Sequence, residues 1–167
     1  MVRLFVAVWP PPPIVEELRA LARKDRRGVR FVAPENWHVT LRFLGEADPG
    51  RVAAALDEAT LPAARARLGP GVDLLADRAL VVPVDGVDEL AAAVVRATAD
   101  LGEPPRKRFV GHLTLARLGR RATTLALPPA LGALVDGEFE VTEVALVRSR
   151  LDPQGAHYET LDTWPIG

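Results

Sequence analysis

An α+β fold with antiparallel sheets is predicted by three observations. Strand-like and helical segments mix along the chain without strict β-α-β alternation and without a glycine-rich nucleotide loop. One histidine-centred stretch occurs twice, as HVTLRFLG at His38 to Gly45 and HLTLARLG at His112 to Gly119, and both copies carry the period-two pattern of a strand. Each half then reads as strand, helix, one or more strands including a motif strand, and helix. Two like halves with like motif strands point to a pseudo-twofold arrangement within one domain spanning residues 1–167.

The elements follow in order. Val2 to Val8 is β-branched and aromatic and is stopped by Pro10 to Pro13, which predicts a buried strand. From Ile14 to about Lys24, apolar residues recur at helical spacing, with Glu16 and Glu17 early and Arg23 and Lys24 late, where the helix dipole favours them. Val29 to Ala33 reads as a short strand ended by Pro34. Trp37 to Leu44 reads as another, with His38, Thr40 and Arg42 on one face and Val39, Leu41 and Phe43 on the other.

Asp48 and Pro49 open a second helix through about Ala59, as cap and first helical residue. Arg65 to Asp77 is the least legible stretch; Gly69, Pro70 and Gly71 mark a turn inside a strand pair. Ala79 to Val84 is a strand whose Pro83 predicts an edge or a bulge. Val87 to Leu101 is an amphipathic helix ended by Gly102 and Pro104. Lys107 to Leu118 is the second motif strand, with His112, Thr114 and Ala116 on one face. Pro128 to Val135 reads as a short helix closed near Gly137, Glu138 to Arg150 as one long strand, and Pro153 to Gly155 as the turn of a hairpin returning through His157 to Trp164.

Composition bounds the chemistry. The 167 residues are 49% hydrophobic and carry a net charge of −1, which describes a globular domain and disfavours a long-footprint nucleic-acid binder. A small, locally basic phosphate site remains open. Without cysteine there is no disulfide, thiolate metal site or cysteine nucleophile. No apolar run is long enough to span a bilayer and no signal peptide precedes the first strand, so a cytoplasmic location is expected, with no membrane partner.

The repeated motif is where chemistry concentrates. On a strand, His-x-Thr places an imidazole and a hydroxyl side by side, while the intervening Val39 or Leu113 anchors the backbone in the core. Two such strands meeting at a pseudo-twofold would set two imidazoles and two hydroxyls in one cleft. One imidazole can then take a proton from water while the other gives one to an alkoxide, and the hydroxyls can donate to oxygens where charge grows. That set suits transfer at phosphorus without a metal or cofactor. The near-identical motifs do not themselves say which histidine is acid and which is base. His157 lacks the threonine two places on and reads as a hairpin residue.

These residues carry a resemblance. HVTL at His38 to Leu41 and HLTL at His112 to Leu115, 74 positions apart (112 minus 38), are similar to the paired motifs of the two-histidine phosphoesterase superfamily. RLFVAV at the start, VRFVAPENWHVTLRFLGE, HLTLAR and VRSRL resemble more narrowly the RNA 2′,3′-cyclic phosphodiesterases of bacteria and archaea, also known as 2′-5′ RNA ligase-like proteins. The resemblance implies two pseudo-symmetric lobes, with antiparallel sheets and flanking helices around a central cleft carrying two HxT strands. It implies that His38 protonates the departing ribose oxygen, that His112 activates water, and that Thr40 and Thr114 hold the phosphoryl oxygens. The product would be a 2′-phosphomonoester, and the substrates RNA 3′ ends or nucleotides bearing a 2′,3′-cyclic phosphate.

Under the same resemblance Arg117 matches an arginine near the phosphate, although alternation alone puts it on the wrong face, so that a twist, bulge or strand end would have to turn it. Phe43 and Tyr158 match positions lining a nucleoside pocket, and Arg148 and Arg150 add positive charge. Gly111 stands where the family commonly has proline. The basic runs Arg23 to Arg30 and Arg106 to Arg108 are expected as solvated faces, the second abutting a motif strand. The chain is expected to act as a monomer with no metal. Other readings are 2′-5′ RNA ligation, opening of a small cyclic nucleotide, or a nucleotide- or RNA-binding module without turnover.

Overall fold

A computed structural model describes residues 1–119 and 130–167. Two helices and four strands come from the first 68 residues: β1 (Val2–Val8), α1 (Pro12–Arg19), β2 (Val29–Phe31), β3 (Val39–Ala47), α2 (Pro49–Asp57) and β4 (Ala64–Leu68). The remainder supplies β5 (Asp73–Leu75), β6 (Ala79–Asp85), α3 (Asp88–Ala97), β7 (His112–Leu118), β8 (Glu138–Val141), β9 (Glu143–Asp152) and β10 (Gly155–Pro165). A single 3₁₀ turn, Pro34–Asn36, precedes β3.

All ten strands join one antiparallel sheet in the order β10-β9-β1-β3-β7-β6-β4-β8, with β2 added to β7 and β5 to β6. The two motif strands, β3 and β7, are adjacent in its middle. They share one registered pair, Val39 with Leu113, before they splay apart. That pair is the joint between two lobes. The sheet also curls: β8, at one edge, is separated from β9, near the other, by Thr142 alone.

The α+β architecture with antiparallel pairing is as the sequence predicts, and the differences have local causes. The first helix starts two residues earlier than the apolar spacing indicates, since Pro12 and Pro13 fit a first turn that has no use for their missing N–H, and it ends at Arg19. Arg23, expected in its last turn, instead lays its guanidinium 5.5 Å from the ring centroid of Trp37. Asp48 caps α2 as expected, accepting from the amide N–H of Gly50 at 2.9 Å. The turn at Gly69 to Gly71 does not close a hairpin: β4 and β5 both pair with β6, at Val84–Asp85 and at Ala79–Val81 respectively, and lie end to end along it. Pro83 is therefore on an interior strand, in the gap between those two ladders. The predicted strand Glu138 to Arg150 is divided at Thr142, its first part pairing with β4 and its second with β1 and β10. Of the predicted helix Pro128 to Val135, the first two residues lie outside the described residues, and Ala130 to Val135 form a turn with positive φ at Ala130 and Gly132 and a bridge from Leu134 to Gly71.

The main core lies between the sheet and the three helices. Leu4, Leu18, Trp37, Leu44, Leu56, Leu80, Leu90, Leu113 and Leu146 are fully buried there. Each such side chain contributes about 1.5–3 kcal/mol by leaving water. A smaller cluster of Phe5, Ala7, Ala145 and Val147, flanked by Trp9 and Tyr158, covers the opposite face of the N-terminal lobe's sheet. This second face carries His38.

Candidate active site

Both motif strands contain a bulge at the same place. On β3, Thr40 pairs with Ala7 and Arg42 with Val6, leaving Leu41 without an opposite residue. On β7, Thr114 pairs with Val81 and Ala116 with Leu80, leaving Leu115 likewise unmatched. An extra residue reverses the alternation beyond it. The residue three places after each threonine is thereby turned to the histidine side: Phe43 on one strand, Arg117 on the other. Strict alternation puts both on the far side, and the bulges overturn that expectation. Both line one groove of about 1120 Å³ together with Thr40, His112 and Thr114.

The same bulge sends Arg42 away from His38, against the sequence expectation that the two share a face. Arg42 is 4% exposed and donates to the Thr98 and Leu101 carbonyls at the end of α3, to the Thr98 hydroxyl at 2.5 Å, and to the Glu103 carbonyl. It donates to carbonyls at and beyond a helix C-terminus and fastens β3 to α3. Burial pushes its guanidinium pKa down from the ordinary value. Sequence reasoning missed this tie, because no pattern in the chain links Arg42 with residues 98 to 103.

The histidines are oriented identically. His38 Nδ1 donates to the carbonyl of Asn36 at 2.7 Å, and His112 Nδ1 to the carbonyl of Val110 at 2.7 Å, in each case two residues upstream. With the proton held on Nδ1, Nε2 of each neutral ring is unprotonated and basic. In the first copy the acceptor is presented by the 3₁₀ turn, which accounts for the four extra residues there. Asn36 also donates from its side-chain amide to the Ala156 carbonyl at 3.3 Å, pinning that turn to β10.

Around His38 the two environments diverge. Its ring stacks on Phe5 with centroids 4.8 Å apart, and Tyr158 and Trp9 meet it edge-on at 5.3 and 5.6 Å. The Thr40 hydroxyl donates to Nε2 at 3.0 Å; among the described residues no such bond joins Thr114 to His112. Burial pushes the His38 pKa below 6.5, the Asn36 hydrogen bond opposes this, and the nearby positive charges of Arg117 and His112 lower it further.

Tyr158 and Phe43 are thus on the histidine side, Phe43 being 42% exposed beneath the guanidinium of Arg3 at 4.8 Å. Arg148 and Arg150 are not brought there. On β9, Ala145, Val147 and Ser149 face His38, so Arg148 and Arg150 face the other way, where Arg148 lies opposite buried Leu4 and Arg150 pairs with Glu159 at 3.9 Å. His157 pairs with Asp152 in the hairpin.

The groove's basic rim includes Arg78, Arg96, Arg106, Lys107 and Arg108. Among the described residues, no helix is long and apolar enough to cross a membrane. Two imidazoles, two hydroxyls and one arginine are groups able to move protons at an anionic centre.

Comparison with known proteins agrees with this geometry. A family model described as LigT like Phosphoesterase matches residues 8–68 and 81–158. A relative from Methanocaldococcus jannaschii named RNA 2′,3′-cyclic phosphodiesterase is 26% identical, the match covering 97% of this chain and 99% of that protein. A crystal structure of a Thermus thermophilus protein superposes with a TM-score of 0.81 at 32% identity, covering 98% of this chain and 97% of the other. The crystal structure of E. coli LigT complexed with 3′-AMP superposes with a TM-score of 0.77 at 26% identity, covering 99% of this chain and 98% of the other.

Proposed function

The chain belongs to the LigT-like phosphoesterase family, and from that premise we propose that it is an RNA 2′,3′-cyclic phosphodiesterase that opens a terminal cyclic phosphate to a 2′-phosphomonoester. The observation that carries the reading is the matched pair of histidines, each fixed through Nδ1 to a carbonyl two residues back, on strands that meet at Val39 and Leu113.

In this reading the cyclic phosphate sits between the imidazoles with its oxygens toward Thr40, Thr114 and Arg117. His112 Nε2 takes a proton from water as the water oxygen bonds to phosphorus. The bond from phosphorus to the ribose O3′ breaks, and protonated His38 gives its Nε2 proton to that oxygen. The depressed His38 pKa fits an acid armed by its substrate: the phosphodiester anion offsets Arg117 and adds a negative neighbour, both of which favour the imidazolium. Phe43 and Tyr158 offer apolar faces to the terminal nucleoside. Arg148 and Arg150 have no part in it.

We take the working form to be a cytoplasmic monomer acting on RNA 3′ ends, which light scattering on the purified protein tests for the oligomeric state. The activity itself is tested by incubating the protein with a nucleoside 2′,3′-cyclic phosphate and identifying the product. A 2′-phosphate is expected; a 3′-phosphate would reverse the assignment of the leaving oxygen, and no turnover would remove the reading.

A further inference from the structure

The Arg-Phe-Val that precedes each motif is a repeat that the chemistry above leaves unused. Its first copy, Arg30 to Val32, does not flank its own motif strand. It crosses to the other lobe, where β2 runs antiparallel to β7 with Arg30 directly opposite Arg117. Opposed residues on neighbouring strands project to the same face, with Cβ atoms about 4.5–5.5 Å apart, and like charges so placed repel. Among the described residues neither arginine forms an ion pair, and both are exposed. Of the two acids nearest in chain, Asp25 and Glu35, the first already accepts from the Phe31 amide N–H at 2.7 Å. The strand that carries Arg30 is held by a turn in which Arg26 and Val29 exchange backbone hydrogen bonds at 3.1 and 2.8 Å. A fixed pair of like charges without a protein counter-ion is arranged for an anion from outside.

Arg117 lines two adjoining depressions: the groove that holds His112 and Thr114, and a shallower one of about 550 Å³ lined by Asp25 to Arg30 and Leu118. A ligand whose reacting phosphate lies against Arg117 therefore has its next anionic group within reach of Arg30. We propose that Arg30 binds the phosphodiester on the 5′ side of the terminal nucleotide, making it a specificity residue that favours an oligoribonucleotide end over a free cyclic mononucleotide. This rests on the phosphodiesterase reading above.

The test compares wild type with Arg30→Gln on two substrates, a nucleoside 2′,3′-cyclic monophosphate and a short oligoribonucleotide ending in the same cyclic phosphate, across a salt series. The loss of kcat/KM on the oligonucleotide is expected to exceed that on the mononucleotide by about tenfold, the scale of one hydrogen bond to a charged group, and to fall mainly on KM. The slope of log kcat/KM against log salt for the oligonucleotide should become shallower by roughly 0.7, as for one released counter-ion on a single strand. Arg30→Lys, which keeps the charge, should retain most of that slope. Because Arg30 opposes Arg117, Arg30→Gln should melt no lower than wild type in low salt. Equal losses on both substrates would assign Arg30 to the scissile phosphate, and unchanged kinetics on both would leave it a solvated residue; either result overturns the proposal. Wild-type protein inactive on both substrates would overturn the phosphodiesterase reading instead.

Discussion

Val39 and Leu113, the middle residues of the two His-x-Thr motifs, are partners across the only registered pair that joins β3 to β7 among the described residues. The histidine and the threonine of each motif therefore lie one residue to either side of this joint. The pseudo-twofold thus runs through two buried aliphatic residues, and the strands diverge beyond them to open the cleft.

If His38 and His112 act as acid and base, each alone replaced by alanine should lose about 10² to 10⁴ in kcat. The double variant should lose far less than the product of the two, since groups that act in one transition state are not additive. EDTA should leave wild-type turnover unchanged. Steady-state kinetics on a cyclic mononucleotide checks all three outcomes, and a single variant with full activity would refute the pairing.

His38 should titrate below 6.5 in the free protein, as followed by imidazole proton resonances. Arg117→Gln removes a positive neighbour and should raise that pKa, and so should inorganic phosphate bound in the cleft. A downward shift in either case would contradict the proximity of Arg117 to His38.

The same depression links to stability with a definite sign. The unfolded chain binds the His38 proton more readily than the folded one, so the contribution is complete above 6.5 and is lost as pH falls from there through the lowered folded value. His38→Asn should flatten this part of the stability curve in denaturant titrations across that range. An unaltered curve would mean that another group governs it.

Gly111→Ala should destabilise the protein by about 1–3 kcal/mol, the scale of overpacking. A Cβ there would lie 2.3 Å from the Val84 carbonyl oxygen, while the Val84 amide N–H donates to the Gly111 carbonyl at 2.9 Å. Glycine is thus required by the close approach of β6 to the residue before His112. Chemical denaturation measures the loss, and wild-type stability in the alanine variant would disprove the clash.

Arg42→Met should cost about 2–3 kcal/mol, because it keeps much of the volume but takes a charged donor away from the Leu101 and Glu103 carbonyls and leaves the Thr98 carbonyl only its bond from the Leu101 amide N–H. Activity should fall less than for His38→Ala, since the bonds of Arg42 go to the end of α3 and none to a histidine. Thermal unfolding beside kinetics separates the two effects.

Much of the candidate site is legible in the chain. The duplication of His, Thr, Leu and Leu-Gly identifies the two strands, and period-two alternation correctly pairs each histidine with its threonine. Alternation then fails at Leu41 and Leu115, because a bulge is set by how a strand meets its neighbour and leaves no mark in composition. That failure misassigns the faces of Arg42, Phe43 and Arg117. Arg148 and Arg150 were candidates through their charge and position, and only the pairing of β9 with β1 shows that they turn outward.

Most of the strands, the three helices α1 to α3 and the repeated His-x-Thr motif can be read from the chain, because periodicity, capping residues and self-similarity are local, whereas β4, β5 and the break at Thr142 cannot. Which residues share the cleft follows from the folded chain. It carried β2 across to the opposite motif strand, split the strand of residues 138–150 between the sheet's two ends at Thr142, and turned Arg117 and Phe43 inward. Those are consequences of strand register and sheet curl, which depend on contacts between residues far apart in the chain.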